Sequence, residues 1–403
     1  MKVLLIHKFL YPKGGAETYV LKLGAFLESQ GHQVQYFGLE NEKNVVTNAL
    51  SLQVPDLDLS AEWWKNLHAP FRILYNAPAR RRLRRVLEAF GPDAVHLNNI
   101  QFHLTPAVIL EAERYRRAQN PAMQIVSTAH DYQLICPSHG LFNGSGQLCE
   151  RCLGGNYLHC LRYRCVKNSY AKSLLAAADS FLWRAVDAYR YIDTVICPSA
   201  FLKEKLDTQP RFREKTVVLR NFAEQLPASG GEHGSYVLQF GHLSGDKGTY
   251  TLLEAAKRLP HISFVFAGFG EAEAAIIAQP NCRFVGFQTG EALQKLIREA
   301  AVTVCPSQIY ENCPYAVIES QQLGTPIIGA RIGGIPELIR EGETGVLFAP
   351  EDAQELTEKL RMLLSTPELL ARYRENCRKM IFETPETYGR KLIFIYGGAY
   401  ENL

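Results

Sequence analysis

Val3–Gly31, VLLIHKFLYPKGGAETYVLKLGAFLESQG, decides the architecture, because it reads as a strand, a turn and a helix in succession. Val3–Ile6 is an aliphatic run of the length of a buried strand. Gly14–Gly15 permits a tight turn, and Ala16–Ser29 has helical spacing closed by Gly31. The unit recurs. Val34–Phe37, Ala94–Leu97, Ile125–Thr128, Val195–Cys197 and Val217–Leu219 are further short apolar strands, with helical stretches between most of them. Asn221–Ser235, NFAEQLPASGGEHGS, is polar and glycine-rich and reads as a hinge. The pattern then restarts with Tyr236–Phe240, Ser263–Gly268, Cys282–Gly286, Val302–Cys305, Ile327–Gly329 and Val346–Phe348.

Alternating strands and helices predict parallel sheets with helices on both faces. Two such series predict an α/β protein of two Rossmann-like, doubly wound domains facing a central cleft, residues 1–222 and 223–380. A C-terminal helix over 381–403, opened by Thr384–Pro385–Glu386, either finishes the second domain or packs back on the first. Ligands of such sheets bind outside the carboxyl ends of the strands, so the site is expected in the cleft.

Composition agrees with this plan. The 403 residues, 47% hydrophobic and 21% charged, exceed one ordinary core and suit a soluble globular chain. Apolar runs such as Ile262–Gly268 are strand-length, well short of the roughly 18 residues of a spanning helix. The opening MKVLLIHKFLYPKGG resembles a short signal peptide. It lacks a small-residue cleavage site and Lys8 interrupts it, so a first strand and a cytoplasmic location are expected. Ten cysteines in a reducing compartment argue for thiols or metal rather than disulfides.

The net charge of +3 is uneven: residues 1–222 carry 28 − 19 = +9 and residues 223–403 carry 16 − 22 = −6. A basic half suits phosphate, anionic lipid or nucleic acid. Arg80–Leu87, RRRLRRVL, is a dense basic helix preceded by Trp63–Trp64. A solvated face is the plain reading, and a peripheral site on the anionic inner face of the membrane is the sharper one. No nucleic-acid-binding motif accompanies the charge, and nothing in the sequence sets the oligomeric state.

Three strand ends carry groups able to do chemistry. Gly14–Gly15–Ala16–Glu17 lets the backbone approach a ligand at a helix start, where free N–H groups attract oxyanions. Gly241–Gly248, GHLSGDKG, opens a helix near Lys247, which combines a helix dipole and a cation for a diphosphate. Gly268 ends the next strand, Ser263–Gly268, and is a further candidate donor-binding position. Glu311–Glu319, ENCPYAVIE, is the most specific: Pro314 fits the first helical position, with one carboxylate before the helix and one in its second turn. Carboxylates accept paired hydrogen bonds from sugar and ribose hydroxyls. His130–Asp131 follows the strand Ile125–Thr128, again at a carboxyl end.

Together the GGAE loop, HLSGDKG, the ENCPYAVIE spacing and GARIGGIPELI followed by EGETGVLF resemble retaining glycosyltransferase family 4, with the GT-B fold. The resemblance implies metal-independent transfer of a hexose-type sugar, with retention, from a nucleotide diphosphate sugar to a glycan or lipid-linked acceptor, in cell-surface polysaccharide or glycolipid synthesis. It implies that Glu319 binds the donor ribose, Glu311 the donor sugar and Lys247 the diphosphate. Gly15, Gly241, His242 and Gly268 would then line the donor, and His130 would support the reacting sugar. No carboxylate pair of metal-binding spacing follows a strand, so Lys247 and helix ends would do a metal's work. One departure is His242, five residues before Lys247, where the family usually carries Arg. That departure keeps two rivals in view: a non-catalytic nucleotide-sugar-binding partner subunit, and a nucleotide-sugar epimerase on the same fold.

Residues 136–165 break the rhythm as a cysteine-rich insertion. Cys149-x2-Cys152-x7-Cys160-x4-Cys165 has spacings that suit a structural zinc, with Cys136 as a fifth thiol and His139 and His159 as alternates. Buried free thiols or a redox pair are the other readings.

Overall fold

The computed structural model describes residues 1–56, 69–226 and 234–398. Trp63–Trp64 and the central part of the expected hinge, 227–233, lie outside the described residues. Two compact units result: Met1–Asn221 together with the segment that begins at Pro385, and Phe222–Thr384.

The first unit runs β1 (Lys2–Ile6), α1 (Gly15–Ser29), β2 (Gln33–Phe37), α2 (Ala69–Leu74), α3 (Ala77–Phe90), β3 (Ala94–Leu97), α4 (Ala107–Gln119) and β4 (Gln124–Thr128). It continues through α5 (Leu158–Arg162), α6 (Tyr170–Val186), β5 (Thr194–Cys197), α7 (Ala200–Asp207) and β6 (Thr216–Val218). The second runs β7 (Val237–His242), α8 (Thr249–Lys257), β8 (Phe264–Phe269), α9 (Glu273–Ile277), β9 (Cys282–Phe284), α10 (Gly290–Glu299) and β10 (Val302–Cys305). It closes with α11 (Tyr315–Gln322), β11 (Ile327–Ala330), β12 (Gly345–Phe348), α12 (Ala353–Leu364) and α13 (Pro367–Arg378). The last helix, α14 (Pro385–Tyr396), belongs to the first unit.

Every expected strand forms, with ends displaced by at most two residues. The strands are continuous apolar runs because both sheet faces are covered: Val3, Leu4, Leu5 and Ile6 are buried, as are Phe264, Val265 and Phe266. All pairings are parallel. The sheet orders are β2-β1-β3-β4-β5-β6 and β12-β11-β10-β7-β8-β9. Each order reverses once, between β1 and β3 in the first sheet and between β7 and β10 in the second. A doubly wound sheet opens a crevice at that reversal.

Helix α14 packs on α1. The Tyr388 and Tyr19 hydroxyls lie 2.5 Å apart, and the Tyr396 hydroxyl lies 2.7 Å from Nδ1 of His96. Gly389 is required at this contact, since a Cβ there would stand 2.0 Å from the Phe26 ring.

Candidate active site

In the second unit the polar groups collect at the reversal of the sheet. The β7–α8 loop carries Lys247 and the β10–α11 loop carries Glu311, so the two flank the β7/β10 crevice. Their side chains meet, with Nζ 2.5 Å from Oε1, and Ser307 Oγ donates to the same carboxylate oxygen at 3.0 Å. Burial on its own would lower the Lys247 pKa, but the Glu311 carboxylate more than offsets it and the net shift is upward. The lysine therefore stays a cation.

Backbone geometry holds the two loops close. Gly248, at φ +70°, precedes α8, and a Cβ there would stand 1.7 Å from the Pro306 carbonyl at the end of β10. A Cβ at Gly268 would stand 1.8 Å from the Gly241 carbonyl. Gly333, at φ +58°, approaches the Glu311 backbone, and the Gly334 N–H donates to the Glu311 carbonyl at 2.6 Å. These glycines bring three loops onto Glu311 and Lys247, a proximity that sequence spacing does not reveal.

Around this pair, His242 is exposed at the end of β7, with Nδ1 2.9 Å from Ser244 Oγ. Glu319 lies in the second turn of α11 and is half-buried. Pro314 takes the N-cap position, one residue earlier than the sequence pattern places it.

The first unit gathers its own cluster beside the β1/β3 reversal. His7 directly follows β1 and is fully buried. Its Nδ1 accepts the Asn99 backbone N–H at 3.2 Å, so the proton sits on Nε2, which donates to Glu17 Oε1 at 3.0 Å. Burial lowers the His7 pKa below 6.5 despite Glu17, leaving the ring neutral at neutral pH. Burial alone would raise the Glu17 pKa, but the His7 hydrogen bond holds it below its ordinary value. His130, two residues past β4, places Nε2 2.8 Å from Asn98 Oδ1. Its pKa is pushed well below 6.5, first by burial and then by His7, His96 and Lys8. Gly15 opens α1 beside Glu17.

The structure thus brings Lys247 and Glu311 into contact and gathers Gly241, His242 and Gly268 at neighbouring strand ends. It places Gly15 and His130 in the other unit. Sequence reasoning missed His7, Asn98 and Asn99. The signal was available, because each directly follows a strand at the carboxyl edge where ligands of this architecture bind.

Two expectations change in the structure. Cys152, Cys160 and Cys165 share a small buried cluster with Tyr157 and Ala177. Burial, and after it the neighbouring thiols of Cys136, Cys165 and Cys149, push the Cys152 thiol up to about 12. Among the described residues no group of three or more His, Cys, Asp or Glu side chains is placed to hold a metal, so Cys149, Cys152, Cys160 and Cys165 do not fit a zinc site. In the arginine run of α3, Arg80, Arg82 and Arg84 are engaged by the fold, while Arg81 and Arg85 are exposed. Arg80 and Arg84 each reach the buried Glu111 at 2.6 Å, and Arg82 donates to the Gln53 carbonyl. No described helix is long and apolar enough to cross a membrane.

The two doubly wound units, each a six-stranded parallel sheet with polar groups at its reversal, have the GT-B fold. The chain belongs to glycosyltransferase family 4: residues 13–225, more than half of it, match the model of Glycosyltransferase Family 4. Residues 224–380 match that of Glycosyl transferases group 1. The chain is 31% identical over 186 residues to sulfoquinovosyl transferase SQD2 of Arabidopsis thaliana, covering 44% of this chain and 34% of that one. It is 30% identical over 198 residues to a glycogen synthase of Mycobacterium tuberculosis, covering 44% and 47%. The chain thus spans a third to a half of the length of these curated relatives. In fold it is similar to sucrose-phosphate synthase from Thermosynechococcus elongatus, with a TM-score of 0.69 at 17% identity over the whole of both chains. It is also similar to Anabaena Alr3699/HepE, solved in complex with UDP, with a TM-score of 0.66 at 16% identity over 99% of this chain and 100% of that one.

Proposed function

We propose that this protein transfers a hexose-type sugar, with retention and without a catalytic metal, from a nucleotide diphosphate sugar to a glycan or lipid-linked acceptor. The observation that carries the reading is the Lys247–Glu311 pair at the β7/β10 reversal. A cation and a carboxylate in contact there match a donor that is diphosphate at one end and polyhydroxylic at the other. As the bond between sugar and diphosphate breaks, negative charge grows on the leaving oxygen. Lys247 and the backbone N–H groups opening α8 stabilise that charge in place of a metal. Glu311 accepts hydrogen bonds from the sugar hydroxyls, and Glu319 accepts those of the ribose. Gly241 and Gly268 let the chain approach the phosphates, and His242 stands where it adds a further donor.

In the other unit, His130 is neutral and fixed by Asn98, so it supports the reacting sugar as a hydrogen-bonding group rather than as a charge. Gly15 opens the helix that faces the phosphate or sugar. Retention follows the family resemblance, and a cytoplasmic location follows the sequence reading.

The test is a thermal-shift panel of nucleoside diphosphates and their sugars, starting from UDP-glucose because HepE was solved with that ligand. One nucleotide sugar should raise the melting temperature of the second unit, and the anomeric proton of the product should report retention by NMR. No shift with any member of the panel would refute the reading.

A further inference from the structure

Helix α6 turns a broad apolar face to solvent. At 100° per residue, Tyr170, Leu174, Phe181, Leu182 and Val186, with Ala171, Ala178 and Ala185 between them, fall within one arc of roughly 160°. That arc faces solvent: the five side chains are 55%, 55%, 38%, 36% and 40% exposed. The opposite arc, which faces the protein, carries Trp183, Ala176 and Ala177 together with the polar Ser173 and Asp179. Ser173 and Asp179 are buried there, and Asp179 accepts the Trp183 indole N–H at 3.0 Å. A surface helix of a globular protein normally keeps its solvent arc charged or polar.

The exposed apolar surface continues beyond the helix. Leu158 on α5 is 60% exposed and Phe71 on α2 is 73% exposed. Between α2 and α6 lies a groove of about 240 Å³, lined by Ile73, Phe102, Val166 and Leu175 and bordered by Lys167 and Lys172. A contiguous apolar surface of this kind marks an interaction site.

Charge identifies the occupant. Residues 158–186 carry five cations, Arg162, Arg164, Lys167, Lys172 and Arg184, and a single acid, the buried Asp179. Among the described residues none of the five is paired with a carboxylate. Arg164 instead lies 4.2 Å from the Tyr170 ring centroid, and Arg184 donates to the Gly154 carbonyl. An apolar stripe edged by cations, with no exposed acid in the segment, complements a surface that is apolar within and anionic at its rim. A second copy of the chain would bring five cations against five.

We infer that the solvent face of α5 and α6 is a docking surface for an anionic lipid bilayer. The aliphatic and aromatic side chains enter the headgroup boundary, the lysines and arginines meet the lipid phosphates, and the groove receives hydrocarbon. The inference deepens the acceptor reading above and rests on it only for what the docked enzyme would glycosylate: a lipid-linked acceptor held at the same surface.

Co-sedimentation with vesicles tests it, comparing phosphatidylcholine alone with phosphatidylcholine containing phosphatidylglycerol, at low and high salt. The full chain should pellet with the anionic vesicles and be released by salt. The double variant L174S/F181S should lose roughly ten-fold in bound fraction, and a thermal melt of the same sample confirms that it is folded, since Phe181 also packs 5.2 Å from the Tyr157 ring. The variant R162E/K167E should lose the preference for anionic lipid. Wild-type protein remaining in the supernatant with both vesicle types would overturn the inference. So would L174S/F181S turning a dimer into a monomer by light scattering while lipid binding stays unchanged, which would assign the face to a second copy. Calorimetric binding of the nucleotide sugar, read on the same samples, separates the two readings, since its loss with lipid binding intact counts against the donor site alone.

Discussion

Replacing Glu311 by Gln removes one charge and keeps the shape, and it should split the two halves of the donor. In the free protein Glu311 Oε1 takes Lys247 Nζ at 2.5 Å and Ser307 Oγ at 3.0 Å. The two side chains are only 17% and 30% exposed, so leaving Lys247 without its carboxylate should cost about 1–3 kcal/mol and lower the melting temperature by several degrees. Binding responds differently at the two ends of the ligand. The diphosphate competes with Glu311 for Lys247, so E311Q frees the lysine and a nucleoside diphosphate should bind equally well or up to about five-fold tighter. The sugar loses a charged acceptor for its hydroxyls, which costs about 1.5–3 kcal/mol, or roughly 10- to 150-fold in affinity. The ratio of nucleotide-sugar to nucleoside-diphosphate affinity should therefore fall by at least an order of magnitude. Isothermal titration of both ligands into wild type and E311Q measures it. If both affinities fall in parallel, Glu311 does not face the sugar and the assignment is wrong.

Glu319→Ala should weaken nucleotide sugar and nucleoside diphosphate alike, by about 1–3 kcal/mol, because the ribose is common to both; calorimetry showing no change in either removes Glu319 from the site. Gly268→Ala drives a Cβ to 1.8 Å from the Gly241 carbonyl, a backbone atom that cannot turn aside, and should destabilise the second unit by about 2–4 kcal/mol in urea melts; a melt like that of wild type would show that the glycine contact is dispensable. The first unit should lose stability in acid. Burial lowers the pKa values of His7, His130 and His139 and takes His96 to about 3, so below the unfolded value of 6.5 the unfolded chain binds more protons than the folded one. The stability these rings contribute is present above pH 6.5 and is lost as pH falls, with His96 alone accounting for about 2 kcal/mol at pH 5. His96→Gln should flatten that pH dependence of first-unit unfolding, and an identical slope would reject the cause.

What the sequence determined is the set of elements and their class. Runs such as Val3–Ile6, Ala94–Leu97 and Val302–Cys305 are apolar throughout because parallel strands are covered on both faces, and Gly31 and Gly324 close helices where only a left-handed residue fits. These are local properties, legible in any window of a few residues. Lys247, Glu311 and His130 stood out through their positions after strands and Glu319 through its spacing from Glu311, and the roles proposed for them follow the family resemblance. Their partners were not legible. Lys247 and Glu311 are 64 residues apart and meet only because β10 lies beside β7 in a sheet ordered β12-β11-β10-β7-β8-β9. His7 and Asn99 are 92 residues apart and meet because β3 lies beside β1. Composition does not show that residues of one type have different neighbours: Arg80 and Arg84 meet Glu111 from α4, while Cys152, Cys160 and Cys165 collect in a buried cluster. The apolar solvent face of α6 lay hidden for the same reason. Periodicity shows that a helix has two faces, and only the packing of the rest of the chain decides which one is turned outward.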